Sequence, residues 1–420
     1  MRAARTISLV LLALTACRSQ PGASLTLDNV AHRYVELAVE LGQHDLDSLD
    51  FYVKGTPAAT MSSSSYAKMH DDAVTLREEV NRVPGDAERK TFLVGQLNAL
   101  VLRTEQLQGR NRSFDEESRI FFGVVEPEDT NAAARMDIRA KLATLLGGTA
   151  NEAAAYSKYE LQFTVPAGRV PVVMQAALDQ CRIVTQAHMT LPAGERVDVI
   201  YVSHKPWSAF SRYLGGAHSV IQVNMDYPLT VDRILNLACH EGYPGHHVFN
   251  SMRDQALLQT HHREEFRVQP TFSPQSYVSE AAANYAPMLL TEQERLHIER
   301  DALYPLAGLK RLDAAKDLEV EKLVDGLHTA LPSIAREYLD GRLEFVRAAD
   351  ALEREVLMEH AETMLLYLNE FRSYMLAYMV GSDSVQRMVE SGNPSDAERW
   401  RRYGKLMTNP VVSLPPAAPN

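Results

Sequence analysis

The chain has 420 residues, of which 45% are hydrophobic and 23% charged, a composition typical of a folded body with a substantial core. Wholesale disorder is therefore excluded. With 54 acidic against 43 basic residues, the formal net charge is −11. The mean field thus repels the phosphates of nucleic acids, and we expect no nucleic-acid partner. After the N-terminus, no stretch of sequence is apolar enough to cross a bilayer.

The N-terminus has the pattern of a secretion signal followed by a lipid attachment site. Two arginines precede a short apolar run over residues 7–14, and the sequence LTAC places small residues directly before Cys17. This segment resembles a bacterial lipoprotein signal. The resemblance implies cleavage after residue 16 and a membrane tether through a lipid on Cys17. Arg18, where aspartate often marks inner-membrane retention, favours the outer membrane facing the periplasm. The alternative is a plain secretory signal.

Composition divides the remaining chain into three parts. Residues 17–27 are polar and contain glycine and proline, so we predict a flexible tether. Residues 28–408 are predicted to form a single, mainly helical body with a helical first half over 28–190 and the functional half over 191–408. The end of the chain, 409–420, is rich in proline and is predicted to be an irregular tail.

Apolar residues at three- and four-residue spacing predict helices throughout the first half. Four serines over 62–65 directly precede one of these patterns, which predicts a loop that ends in a helix N-cap. The predicted helices cover residues 30–41, 66–80, 91–107, 132–146 and 170–188.

Strand patterns are confined to one region. Residues 197–202 and 219–224 are short and rich in β-branched side chains, and they precede a helix that starts near Val231. We predict a small sheet there, with 219–224 as an exposed edge that could pair with the backbone of a bound peptide. Further helices are predicted over 277–297, 306–331, 342–379 and 397–407.

Three histidines and a glutamate fall within eight residues of the segment CHEGYPGHHVF, which starts at residue 239. The pair His240-Glu241 suits a zinc hydrolase, because an imidazole can bind the metal beside a carboxylate that can accept a proton from water. The usual second ligand lies four residues after the first histidine. Here that position is Pro244, so the common H-E-x-x-H motif is absent.

Pro244 and Gly245 can alter the helix geometry so that the longer spacing still suits a metal site. Proline lacks the N–H that a straight helix needs and clashes with the preceding turn, while glycine permits unusual backbone angles. We therefore predict that the helix widens or kinks here, which brings His246 to the position of the second ligand. The alternative second ligand is His247, two straight turns from His240.

A third ligand must come from another part of the chain. Glu280 begins a second helical pattern, and the alanines that follow it allow a neighbouring helix to approach closely. Asn284, one turn later, is predicted to hydrogen-bond a ligand imidazole and to fix its tautomer. His261 and His262 are rival ligands, but their polar surroundings predict that they are exposed.

Cys181 and Cys239 remain once Cys17 is assigned to the lipid. They could pair in an oxidising compartment. Since such a bond would constrain the helix that carries His240, free buried thiols are the favoured expectation.

These residues resemble the bacterial domain of unknown function numbered eight hundred and eighty-five. The resemblance rests on HEGYPGHH, on Glu280 with Tyr285 five residues later, on the segment DGLH that ends at His328, and on Tyr378 with Gly381. It implies a zincin-like, mainly helical metallopeptidase with one zinc ion and a glutamate as third ligand. The sequence EAAANY replaces the family's usual EGWAxY pattern at Glu280, which indicates a divergent member.

Under this interpretation, Glu241 is the general base of a peptidase that acts on small peptides, in the manner of a carboxypeptidase or dipeptidase. The negative oxygen that forms during the reaction needs hydrogen-bond donors. By residue type and by the resemblance, the candidate donors are Tyr378 first, then Tyr374, His328 and Arg372.

Two other functions compete with the peptidase. One is a non-catalytic lipoprotein that binds a peptide or a partner on a degenerate zincin fold. The other is a zinc amidohydrolase whose substrate is a non-peptide amide. The oligomeric state does not follow from the sequence.

Overall fold

A computed structural model of the chain describes residues 25–54, 64–125, 129, 131–147, 151–205, 207–309, 314–358, 361–409 and 414. The signal segment, Cys17 and nearly all of the tail over 409–420 lie outside these described residues.

The first half is built from helices, as the apolar spacing predicts. Each of the five predicted helices is confirmed, and the helix at Tyr66 is capped by Ser65, whose hydroxyl accepts a hydrogen bond from the Lys68 N–H at 3.3 Å. The helices are α1 Leu27–His44, α2 Tyr66–Arg82, α3 Ala87–Leu107, α4 Phe114–Phe122, α5 Ala132–Leu146, α6 Glu152–Glu160 and α7 Val170–His188. The short helices α4 and α6 were not among the predicted elements.

Five strands form two small sheets. The first strand, β1, covers Phe51–Tyr52 and pairs with the last, β5, which covers Val268–Gln269. Between them in the chain come β2 Arg196–Val202, β3 Ala209–Gly215 and β4 His218–Asn224, which form one sheet in the order β2-β4-β3.

The position of β4 corrects one prediction. This strand pairs in parallel with β2 along one side and antiparallel with β3 along the other, so it is the central strand. The prediction that 219–224 is an exposed edge is therefore wrong, because both rows of its backbone hydrogen-bonding groups are already occupied.

The second half is helical but more interrupted than the apolar periodicity predicts. The pattern over 277–297 is split at Pro287, and the patterns over 306–331 and 342–379 are also divided. The helices are α8 Val231–Leu237, α9 His246–Arg253, α10 Pro274–Tyr285, α11 Glu292–His297, α12 Tyr304–Ala307, α13 Ala314–Leu327, α14 Leu331–Leu339, α15 Phe345–Val356, α16 Ala361–Phe371, α17 Leu376–Glu390 and α18 Asp396–Thr408. The fold is mainly α, as predicted.

The largest apolar core draws on both halves of the chain. Val173 of α7, Ile221 of β4 and Ile234 of α8 are fully buried in it, together with Ala281 of α10. Helices α10 and α17 pack closely at Gly381, where an added Cβ would lie only 2.6 Å from the Cβ of Ala281. The alanine-rich turns after Glu280 therefore do admit a close neighbour. Within the described part of the chain, no helix is both long and apolar enough to cross a membrane.

Candidate metal centre

The segment that carries His240 is a widened helical turn. After α8, residues Ala238–Gly242 form a π-helix, and the Tyr243 N–H donates to the carbonyl of Ala238 at 3.2 Å. Helix α9 then begins at His246. The predicted widening before Pro244 is confirmed, and it takes up the extra residues that separate His246 from His240.

Gly245 allows the backbone to close this turn. Its N–H donates to the carbonyl of Cys239 at 2.9 Å. A Cβ added to Gly245 would lie 1.8 Å from the carbonyl oxygen of His240, which is far inside van der Waals contact. Glycine is thus required because there is no room for any side chain, even though the φ angle of −69° is ordinary.

A disulfide bond braces the same turn from α7. Cys181 and Cys239 are bonded, with their Cα atoms 5.7 Å apart, a separation within the ordinary range for disulfides. The expectation of free buried thiols is therefore wrong: α7 lies directly against the widened turn, so the two cysteines meet without disturbing it. The bond fixes the residue immediately before His240.

His240, His246 and Glu280 converge at one point. The Nε2 atom of His240 lies 3.1 Å from Glu280 Oε1, and the Nε2 atom of His246 lies 3.3 Å from Glu280 Oε2. The two imidazole rings meet edge to face with their centroids 4.8 Å apart. We call these three residues and Glu241 the histidine cluster. Two imidazole nitrogens and a carboxylate are a donor set that zinc favours.

Glu280 and His246 shift each other's pKa inside this buried cluster. Burial by itself would raise the pKa of Glu280, but the adjacent His246 and His240 outweigh it and hold the pKa of that carboxyl well below its usual range. Burial would in turn lower the pKa of His246, but Glu280 raises it to about 9. The carboxylate form of Glu280 is therefore strongly favoured.

Glu241 differs from Glu280 in its contacts. Its Oε1 lies 3.9 Å from His240 Nε2, and ligand atoms of Glu241, His240 and His246 all lie within 4.8 Å of one another. Its Oε2 is buried and has no hydrogen-bond partner among the described residues. Burial raises the pKa of Glu241, against the opposing effect of His240. A carboxylate with a spare oxygen and a raised pKa is suited to accept a proton.

His247 points away from the histidine cluster. It is fully buried, with Nδ1 2.9 Å from Ser219 Oγ and Nε2 3.0 Å from Glu195 Oε2. Glu195 also accepts hydrogen bonds from Tyr243 at 2.5 Å and from Arg182 at 2.7 Å. Both nitrogens of His247 are thus engaged elsewhere, and the structure brings His246 to the predicted metal position.

Ser279 supports the cluster, although the sequence analysis did not single it out. Its Oγ lies 3.2 Å from Nδ1 of His246, which leaves Nε2 directed at Glu280. Such a partner on the second ring nitrogen orients a histidine ligand. The one sequence feature that could have pointed to Ser279 is its position directly before Glu280. Asn284 was expected to contact an imidazole, but one turn after Glu280 its amide instead lies 3.0 Å from the Glu280 carbonyl oxygen and 3.4 Å from Oε1.

Tyr374 touches the cluster, and a chain of hydrogen bonds leads away from it. Its hydroxyl donates to Glu280 Oε2 at 3.3 Å and lies 3.2 Å from Ser276 Oγ, which in turn is 3.4 Å from Asp50. Asp50 is another residue that sequence reasoning missed. Tyr378 is 39% exposed, and its ring meets that of Tyr374 edge to face at 5.8 Å, so it lies at the rim of the site.

Two of the four proposed donors make no contact with the four residues of the histidine cluster. The Arg372 guanidinium donates to both oxygens of Glu117 at 2.8 and 2.9 Å, so it ties the segment before α17 to α4. His328 has its Nδ1 3.8 Å from Asp325 on α13, and it makes no contact with the four residues of the cluster. His261 and His262 are exposed, as predicted.

Comparisons with known proteins do not assign this chain to a family. No family model matches the chain, and no curated protein matches it. Among solved structures, the chain is similar to one described as "the putative lipoprotein from Colwellia psychrerythraea", with 15% identity and a TM-score of 0.44, over 82% of this chain and 67% of that one. The family suggested by HEGYPGHH stays a prediction.

Proposed function

We propose that the protein is a zinc-dependent metallopeptidase that cleaves small peptides. The observation that carries this proposal is the convergence of His240 and His246 on Glu280, with the unpaired Glu241 oxygen beside them. The donor set fits zinc, because two imidazoles and one carboxylate leave a further position open. Bound there, zinc would polarise a peptide carbonyl and make water a stronger nucleophile.

The chain's own residues supply the rest of the chemistry. Glu241 accepts the proton of the attacking water and later delivers it to the leaving nitrogen, for which its raised pKa is suited. Ser279 and Tyr374 orient His246 and Glu280. We assign Tyr378, at the exposed rim, as the donor to the substrate carbonyl oxygen. Arg372 is not assigned this role, because Glu117 engages its guanidinium.

Arg233 favours cleavage near a carboxyl terminus. This exposed residue of α8 donates to Ser208 Oγ at 2.8 Å, and its charge is close enough to oppose the raised pKa of Glu241. A guanidinium beside the site suits the free carboxylate of a peptide. Arg233→Gln should reduce kcat/KM for peptides with a free carboxyl terminus and leave the same peptides, when amidated, unchanged.

The cellular setting belongs to the same proposal. We infer from the LTAC segment that Cys17 carries a lipid and that the protein is tethered in a bacterial cell envelope, with the outer membrane favoured. Labelling of cells with a fatty-acid probe should mark the wild-type chain and not Cys17→Ala.

The deciding experiment measures zinc and turnover on the same samples. The full chain, purified in mild detergent and supplied with stoichiometric zinc, should retain about one zinc ion at the histidine cluster and cleave members of a mixed peptide library. Glu241→Gln should keep that zinc and lose about 10²- to 10⁴-fold in kcat. Glu353→Gln, at an exposed glutamate far along the chain, is the matched control and should behave as wild type.

Other outcomes favour the competing functions. If wild type and Glu241→Gln both retain zinc and neither turns over any peptide or amide, the result would support a binding lipoprotein. Turnover of non-peptide amides alone, lost in Glu241→Gln, would support the amidohydrolase. A folded chain that retains no zinc would refute the metal mechanism.

A further inference from the structure

A second group of ionisable side chains lies at the start of α8, the helix that leads to His240. Asp232 in the first turn of α8 faces Asp317 and Glu321, which lie one turn apart on α13. One carboxylate oxygen from each residue lies within 4.8 Å of the other two. We call these three residues the carboxylate cluster.

Positive charge near these carboxylates is insufficient to balance them. Arg295 pairs with Glu321 at 2.8 Å, but it also pairs with a fourth carboxylate, Glu299, at 3.1 Å. Among the described residues, no other ion pair to the cluster is formed. Burial, together with mutual repulsion, raises the pKa of both Asp317 and Glu321.

Individual oxygen atoms in the cluster also lack partners. Asp317 is only 4% exposed and accepts a hydrogen bond from Tyr159, yet its Oδ2 has no partner among the described residues. The same holds for Oε1 of Glu321. Buried carboxylate oxygens are costly when nothing compensates them, and coordination of a metal ion is one of the few forms of compensation.

An independent observation comes from α12. Tyr304 is 1% exposed, and its hydroxyl has no hydrogen-bond partner among the described residues. Burial raises the pKa of this hydroxyl, and the charges of Asp317, Glu299, Asp232 and Glu321 raise it further, so the hydroxyl lies within electrostatic reach of the carboxylate cluster. A hydroxyl in this position can donate to a carboxylate or to a water molecule bound to a cation.

The ligand set identifies the kind of cation. All three donors are carboxylate oxygens, which favour hard divalent ions over zinc. Magnesium usually keeps several of its water molecules and takes one or two protein carboxylates, whereas calcium accepts a larger number of protein oxygens in a flexible geometry. Three protein carboxylates that converge on one point therefore suit calcium better than magnesium.

We propose that Asp232, Asp317 and Glu321 bind a calcium ion that fastens the start of α8 to α13. His240 follows Asp232 by eight positions, which correspond to roughly 12 Å of helix at 1.5 Å per residue. The ion would hold one end of the segment whose other end enters the histidine cluster. It would act on the position of that segment and take no part in the chemistry.

The test measures calcium binding and thermal unfolding of the full chain loaded with zinc. Equilibrium dialysis should find one calcium ion per chain beyond the zinc. Calcium at about 100 times its dissociation constant should raise Tm by roughly 3 °C over chelator-treated protein. Asp317→Asn/Glu321→Gln should abolish both effects and still unfold cooperatively, because the substitutions keep the shapes of the side chains and remove their repulsion.

Controls make the result specific to this cluster. Glu319→Gln, at an exposed position of the same helix, should bind calcium as wild type does. His240→Ala should lose zinc and keep the calcium response. The proposal is overturned if wild-type chain shows no calcium-dependent Tm shift and no bound calcium, or if magnesium alone gives the shift at equal concentration.

Discussion

The histidine cluster and the carboxylate cluster lie at the two ends of one helical segment, yet they balance buried charge in opposite ways. In the first, the imidazoles of His240 and His246 flank Glu280 and lower its pKa. In the second, the pKa values of Asp317 and Glu321 are raised because their neighbours are mostly other carboxylates. Pairing of acid with base stabilises a site before any ligand arrives, whereas a purely acidic site depends on a cation or on protons.

Among substitutions that should affect the histidine cluster and spare the carboxylate cluster, Gly245→Ala has the largest expected effect. The new methyl group would overlap the carbonyl oxygen of His240, so His240 and His246 must move apart. We expect zinc affinity and peptide turnover to fall by about 100-fold or more, measured by metal competition and by kcat/KM. The calcium-dependent Tm shift should persist. Gly168→Ala, which has no atom within 4 Å of the added Cβ, should change neither property.

Removal of the disulfide tests whether the histidine cluster needs its brace. Cys181→Ser/Cys239→Ser should lower the free energy of unfolding by about 2–4 kcal/mol, measured by denaturant titration. Zinc affinity should fall as well, because Cys239 directly precedes His240. If the double variant is less stable but binds zinc with unchanged affinity, the disulfide stabilises the fold and does not position the zinc ligands. Wild-type chain treated with reductant provides the comparison.

Ser279→Ala sharpens the comparison by altering one hydrogen bond of the histidine cluster. Loss of the contact with Nδ1 of His246 should weaken zinc binding by about 10- to 100-fold and leave the calcium response intact. Ser157→Ala on α6 is the matched control. Equal zinc affinities for Ser279→Ala and wild type would mean that Ser279 does not orient His246.

Glu195 is a further buried carboxylate, held by His247, Tyr243 and Arg182, and it predicts a small effect of pH on stability. Burial opposes its ionisation, but these partners lower its pKa to about 2 from an ordinary 4.5. Its stabilising contribution is therefore complete above pH 4.5 and is lost as pH falls towards 2. Glu195→Gln should cost about 1–3 kcal/mol at neutral pH.

Denaturant titrations of Glu195→Gln and wild type between pH 7 and pH 2 check this expectation. The difference between the two proteins should narrow below pH 4.5. A difference that stays constant across the range would argue against a charged role for Glu195. Glu353→Gln, at an exposed position, should track the wild type throughout.

Local spacing made much of this architecture predictable. The spacing of apolar residues predicted the first and last residues of α5 and α7 correctly. The Pro244-Gly245 pair predicted the widened turn that brings His246 to His240. These features depend on residues close together in the chain. Glu280 was identifiable because the alanines that follow it allow a neighbouring helix to approach closely.

Features that depend on packing between distant segments were not predictable. Nothing in 219–224 indicates that strands join it on both sides, and nothing near Arg372 indicates that Glu117 lies 255 residues away in sequence but within hydrogen-bond reach. The disulfide was misjudged for the same reason. The carboxylate cluster also went unnoticed, since Asp232 and Asp317 belong to separate helices with ordinary surface patterns.

The bond between Cys181 and Cys239 has a consequence for when the protein matures. Such bonds form in oxidising compartments and are rare in the reducing cytosol. A newly made chain in the cytosol would therefore have the turn before His240 held by noncovalent packing alone, and the disulfide would form only after the export that we propose from the N-terminal signal. Recombinant protein recovered from a reducing cytosol and protein recovered from an oxidising compartment would then be different preparations, although their sequences are identical.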